Sequence, residues 1–156
     1  MNILIVNFGN PRFVCDSFGP LLGTLLQGED IHGHTIHIEG TCFNPVHTMD
    51  HYYNVVELAN SSDWDLVITT DAAVSEPTNF NKLFIRKGGV HPGKGCGKQD
   101  MTQPLGDYNI VYGVGPSPLE VSPTQSMVST AAKRAVSEIK KLIYRLCGSS
   151  EVLLEA

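Results

Sequence analysis

The sequence predicts an α/β fold built on a mostly parallel sheet covered on both faces. Three observations carry that reading. The run Ile3-Leu4-Ile5-Val6 is short, rich in β-branched residues and nearly continuous, as in a strand buried on both sides. Strand-like and helix-like stretches then alternate along the chain. Two of the strand patterns end on an acid, Asp16 following the first through a loop and Asp71 closing another, at the carboxyl ends where open α/β sheets place ligands.

Each element has a local reason. After Asn7 the chain breaks at Gly9-Asn10-Pro11, a polar loop delivers Asp16, and an apolar run from about Gly19 to Gln27 reads as a helix with Pro20 in its first turn. His34 to Ile38 reads as a short strand, and the histidines His32, His34 and His37 mark it as a partly solvated edge. A turn through Gly40 and Asn44-Pro45 follows. Met49 to Ala59 forms a helix with Val55, Val56 and Ala59 on one side, closed by Asn60-Ser61-Ser62-Asp63. Leu66 to Thr70 is the next clear strand and runs into Asp71. Lys82 to Arg86 reads as an additional strand leading into the segment from Gly88 to Lys98, where five glycines fall in ten residues and imply positive φ angles or a closely approached backbone. Tyr108 to Val114 is β-rich, and a turn with Pro116, Pro118 and Pro123 follows it. The last helix runs from near Thr124 to about Leu146, with Met127, Ala131, Ala135, Ile139, Leu142 and Leu146 at helical spacing and Gly148 at its end. Residues 149–156 read as a tail to a single domain over 1–148.

Composition narrows the function. The 156 residues, 42% hydrophobic and 17% charged, suit one core and not two. Eleven Lys and Arg against sixteen Asp and Glu leave a net charge of −5, and no basic stripe tracks a phosphate backbone, which argues against nucleic acid. No signal sequence precedes the first strand and no apolar run approaches the roughly 20 residues of a membrane span, so a soluble cytoplasmic protein without a membrane partner is expected. Cys15, Cys42, Cys96 and Cys147 are widely spaced, which fits reduced thiols.

Asp16 and Asp71 are the leading catalytic candidates. Two carboxylates from neighbouring parallel strands can share one crevice and one proton, so that one activates water while the other protonates a leaving group. The alternative is structural, with Asp16 capping the following helix and Asp71 capping a turn. His91, opening the glycine-rich loop, could join the acids in a site for a divalent metal such as zinc or nickel, or bond a backbone carbonyl. Cys42 and His47 with His91 and Cys96 form a second combination whose spacing matches no zinc signature. The glycine loop is not a Walker A loop, since Gln99 follows Gly97-Lys98; it reads better as a loop that shapes a peptide site. Cys15 reads as core packing.

Several of these blocks resemble a known family. Gly9-Asn10, Asp16 to Leu21, Thr70-Asp71-Ala72 and Val90 to Lys98 resemble the spore germination protease and its relatives, and Gly40-Thr41 with Pro45-Val46-His47 is similar to a motif of the smaller sporulation protein YyaC group in the same superfamily. The hydrogenase-maturation endopeptidases share the pattern Gly-Asn-x5-acid-x2-Gly, which falls on Gly9, Asn10, Asp16 and Gly19. The resemblance implies a phosphorylase/hydrolase-like three-layer α/β/α sandwich, an endopeptidase-like hydrolase with Asp16 and Asp71 catalytic and no cofactor, and a protein or peptide substrate. Asn10, His91, Gly93, Lys94, Gly95 and Lys98 would line the substrate cleft, and a homo-oligomer is compatible with it. Two alternatives stay open: a metal-dependent maturation-type peptidase using Asp16, Asp71 and His91, and a non-catalytic, sporulation-related binding protein on the same scaffold. The germination protease is a larger zymogen, whereas this sequence starts directly on its first strand. Its spore-protein substrate is therefore not carried over.

Overall fold

The computed structural model describes residues 1–61, 63–90, 104–116 and 122–149. In chain order these form β1 (Asn2–Asn7), α1 (Phe18–Leu26), β2 (Thr35–Glu39), α2 (Met49–Ser61), β3 (Leu66–Ala73), β4 (Leu83–Lys87), β5 (Tyr108–Gly113) and α3 (Gln125–Cys147). Short 3-10 turns occupy Val14–Asp16 and Pro77–Asn79. Among the described residues the sheet has the order β2-β1-β3-β5-β4. β2, β1, β3 and β5 run parallel, and β4 closes the other edge antiparallel to β5.

Strand alternation sorts the core into two layers. Ile3, Ile5, Ile68, Ile110 and Tyr112 point to one face, where they meet Phe18, Leu22 and Leu26 of α1 and Val128, Ala132, Ala135, Ile139 and Ile143 of α3. Leu4, Val6 and Phe8 point to the other, against Tyr52 and Val55 of α2. Every residue of β1 from Ile3 to Asn7 is buried, the double burial expected of a central parallel strand. Each of the buried aliphatic side chains from Ile3 to Val6 contributes roughly 1.5–3 kcal/mol.

Three local expectations shift. Met127 and Leu146, placed on the buried stripe of the last helix, are 36% and 41% exposed; the buried row instead runs through Val128, Ala132, Val136, Ile143 and Cys147 as well as the predicted Ala131, Ala135, Ile139 and Leu142. Over 23 residues a 3.6-residue period rotates the extreme positions off a straight seam. His34 is buried, not solvated: one ring nitrogen lies 3.2 Å from the N-terminal amine and the other 2.7 Å from the Gly148 carbonyl. β2 is nonetheless an edge strand, and His37 on it is exposed. At the end of α3 the chain behaves as its sequence predicts: Thr124 Oγ1 accepts the Met127 N–H at the start, and Gly148 follows the helix with φ 67°.

Glycine permits the close approaches that set the upper edge of the sheet. A Cβ on Gly23 of α1 would collide with the Gly40 carbonyl after β2, and one on Gly19 would collide with the Phe8 carbonyl after β1. Gly23→Ala is therefore expected to destabilise the protein by about 1–3 kcal/mol. Gly28→Ala, at a position with nothing within 4 Å of the added methyl, should stay within roughly 0.5 kcal/mol of wild type. Paired urea unfolding curves check both.

Candidate functional site

The site is built where β1 and β3 leave the sheet. Beneath it Asn7 and Thr70, paired in register and fully buried, form a polar tie: Thr70 Oγ1 donates to Asn7 Oδ1 at 2.6 Å, and Asn7 Nδ2 donates to the Glu39 carbonyl at 3.1 Å. Three strand ends are thereby locked at one height. Beyond Asn7 the chain is held by the Phe8 N–H on the Thr70 carbonyl and the Gly9 N–H on the Val46 carbonyl. Gly9 has φ 144°, and a Cβ there would strike the Asp16 carbonyl and Pro20, so the 10–16 loop folds back tightly over the strand end.

Asp16 ends the 3-10 turn and sits before α1, whose first residue is Phe18. It does not cap that helix by its side chain, since its Oδ2 accepts the Asn10 N–H at 2.8 Å. Asn10 in turn accepts the Arg12 N–H on its own Oδ1. Asn10, expected to touch substrate, thus holds the acid through its backbone while lining a cavity of about 440 Å³ with Pro11, Arg12, Cys42, Pro45 and His47.

Asp71 is not at the strand tip but two residues inside the end of β3, opposite Val111 of β5. It lines a second cavity, of about 510 Å³, with Ala73, Phe84, Arg86, Asn109 and Val111 among its walls. The alternating side chains of β3, β5 and β4 form that wall, and Asn109 is fixed by accepting the Thr69 hydroxyl at 3.0 Å. The Arg86 guanidinium stands 5.9 Å over the Phe84 ring.

The two acids influence each other. Burial, and after it repulsion from the Asp16 carboxylate, pushes Asp71 from 3.8 up to about 8, against the Ala72 backbone N–H. Asp16 is also raised by burial, but the Asn10 N–H and the attraction of His47 pull it back. At neutral pH this favours a shared proton on Asp71 and an ionised Asp16. The sequence offers His47 only in the Cys42, His47, His91 and Cys96 combination and in the Pro45-Val46-His47 block; it lies 31 positions from Asp16, and the fold brings it there. His47 meets the His51 ring edge-on, centroids 6.1 Å apart, and His51 Nδ1 is buried without a hydrogen-bond partner among the described residues.

The remaining sequence candidates divide. His91, Gly93, Lys94, Gly95, Cys96 and Lys98 lie outside the described residues. Among the described residues no group of three His, Cys, Asp or Glu side chains could hold a metal ion, so the described part of the site does not by itself make a metal centre. Cys15, Cys42 and Cys147 are free thiols, and Cys15 packs against the core. No helix among the described residues is long and apolar enough to cross a membrane.

The Asp71 shift has a thermodynamic consequence. Because the folded state holds its proton and the unfolded chain does not, Asp71 contributes stability that is fully present below pH 3.8 and lost as pH rises to about 8. Asp71→Asn is expected to stabilise the protein at pH 8 and above by about 1–3 kcal/mol and to flatten its stability between those limits. Denaturant unfolding at pH 4, 6, 8 and 9 reads the difference; a variant less stable than wild type at pH 9 would contradict it.

Comparison with known proteins agrees with the architecture. The structure is similar to the [NiFe] hydrogenase maturation protease HycI from Thermococcus kodakarensis KOD1, with a TM-score of 0.58 at 20% identity over 91% of this chain and 92% of that one. It is also similar to the [NiFe] hydrogenase maturation protease HybD from Thermococcus kodakarensis, at 0.57 and 14% over 91% and 99%. These likenesses establish a common fold. In sequence, 108 residues, 69% of this chain, are 29% identical to the uncharacterized protein YyaC of Bacillus subtilis (strain 168). The chain matches about half, 51%, of that relative's length. A family model covers the first strand through β5 and the turn beyond it, and by that match over residues 1–118 the chain belongs to the family described as protein of unknown function (DUF1256).

Proposed function

We propose that this protein is a peptidase-like hydrolase in which Asp16 and Asp71 together activate water. The observation that carries the reading is electrostatic coupling of two carboxyl groups from separate segments, beside two cavities at the carboxyl edge of a parallel sheet. The shared fold with maturation proteases supports it. The germination protease resemblance supports the choice of an aspartate pair.

The chemistry follows from the unequal pair. Ionised Asp16 takes a proton from water as the water oxygen bonds to the scissile carbonyl carbon, and protonated Asp71 gives its proton to the carbonyl oxygen. As the C–N bond breaks, the proton on Asp16 passes to the departing amine and the proton of the collapsing diol returns to Asp71. Both acids end as they began. A protein or peptide substrate would lie across the sheet edge, with the cavity of Phe84, Arg86 and Asn109 on one side and that of Arg12, Cys42 and His47 on the other.

A library of fluorescence-quenched peptides tests this. Asp16→Asn and Asp71→Asn are each expected to lower kcat/KM about 10²–10⁴-fold without loss of fold. Because Asp71 must hold its proton, wild-type kcat/KM should fall as pH rises through about 8. Full cleavage by Asp16→Asn would remove the proposal. Chelation that abolishes wild-type cleavage, restored by added zinc or nickel, would replace it with the metal-dependent alternative.

A further inference from the structure

We propose that Arg86 is a specificity-determining residue: together with Asn109 it holds a carboxylate of the peptide substrate, displaced along the chain from the bond that is cut. The part it plays in cleavage rests on the peptidase reading, whereas the recognition of an acidic peptide does not.

The sheet register sets out the site. β4 runs antiparallel to β5, with Phe84 opposite Val111 and Arg86 opposite Asn109; on the other side of β5, Asp71 stands opposite Val111 and Thr69 opposite Asn109. Residues that face one another across strands, or lie two apart along one, share a face of the sheet. Thr69, Asn109 and Arg86 therefore form one row across three strands, and Asp71, Val111 and Phe84 form the next. All of these except Thr69 line the cavity of about 510 Å³. Two residues further along β5, Gly113 lies against the Asn79 carbonyl and the Ser75 hydroxyl, and Glu76, Asn79 and Gly113 line the same cavity. The cavity is thus a trough along β5, with the cation of Arg86 at one end, Asp71 midway and the carboxylate of Glu76 at the other end.

The donors at the Arg86 end are oriented and unspent. The guanidinium stands 5.9 Å over the Phe84 ring, which supports its flat face and leaves its N–H edge for another partner. Among the described residues it takes part in no ion pair. Asn109 is buried, and its Oδ1 accepts the Thr69 hydroxyl at 3.0 Å, so the amide turns its oxygen toward β3 and its Nδ2 donors away from it. A guanidinium fork and an amide N–H on adjacent strands suit a group that only accepts, and on a peptide the charged group of that kind is a carboxylate. A cation on an edge strand also discourages pairing with another chain, but that use requires neither the ring beneath it nor the amide beside it. Glu76 repels a carboxylate at the far end, so the acid has one place in the trough. With strands about 4.8 Å apart and residues about 3.3 Å apart along them, that place lies roughly 8–12 Å from Asp71, the span of about two or three extended residues.

Fluorescein-labelled, amidated peptides with a single Glu in a background of Ala and Gln, titrated against the full chain by fluorescence anisotropy, test recognition without cleavage. Wild type is expected to bind the Glu peptide about 10-fold more tightly than its Gln counterpart, and Arg86→Gln to lose that preference. Arg86→Glu should reverse it in favour of a Lys peptide. The Gln peptide with a free C-terminus, compared with its amide, shows whether a chain-end carboxylate is accepted as well as a side-chain one. Equal binding of all these peptides by wild type, or a preference unchanged in both variants, would overturn the proposal. Among peptides that are cleaved, a Glu two or three residues from the scissile bond should raise kcat/KM chiefly by lowering KM; a preference confined to the residue beside that bond would overturn it too. An Arg86-dependent preference in a protein that cleaves no peptide would leave the carboxylate site standing and fell only the hydrolase reading.

Discussion

The site depends on one constraint, the close approach of backbone to backbone at the carboxyl edge of the sheet. Gly9, Gly19, Gly23 and Gly40 are the contact points, and at each a methyl group would meet a main-chain carbonyl. Without that approach α1 would stand off from β1 and β2, and the loop carrying Asp16 would rise away from the strand ends. The hydrophobic layer below supplies the force: Phe18 stacks on Tyr112 at 5.1 Å and, with Leu22 and Leu26, draws α1 onto the sheet. Glycine allows that force to close the last ångströms.

The polar groups near this edge do two kinds of work. Asn7, Thr70, Thr69 and Asn109 are buried and satisfy one another, and they hold the strand ends in register. Asp16 and Asp71 are instead held at a cost, since burial raises both and the Asp16 charge raises Asp71 further. Asp71, raised to about 8, is stable chiefly when protonated. A well-paired scaffold thus supports a poorly solvated pair, the arrangement that acid–base chemistry near neutral pH requires.

Fold similarity and site chemistry bear on different questions. The maturation proteases share the architecture at 14–20% identity, which speaks to the course of the chain and not to substrate. What bears on activity is local: two acids in communication, flanked by cavities whose walls differ. One is lined by Phe84, Arg86 and Asn109, the other by Arg12, Cys42 and His47.

The sequence by itself determined the elements and their order, because periodicity and local punctuation are properties of neighbouring residues. The continuous apolar run at Ile3 to Val6, the Thr124 cap, Gly148 and the strands at Leu66 and Tyr108 were all readable in place. It also singled out Asp16 and Asp71, since acids following strands are a local pattern with a known position in α/β sheets. The details beyond that range were not readable. His34 became buried through partners at residues 1 and 148, and His47 came beside Asp16 through a bridge between Phe8 and Val46. Which acid is the harder to ionise also had to await the fold. Burial and charge repulsion act through space between segments far apart in the chain, and no spacing of letters along it records how close those segments come.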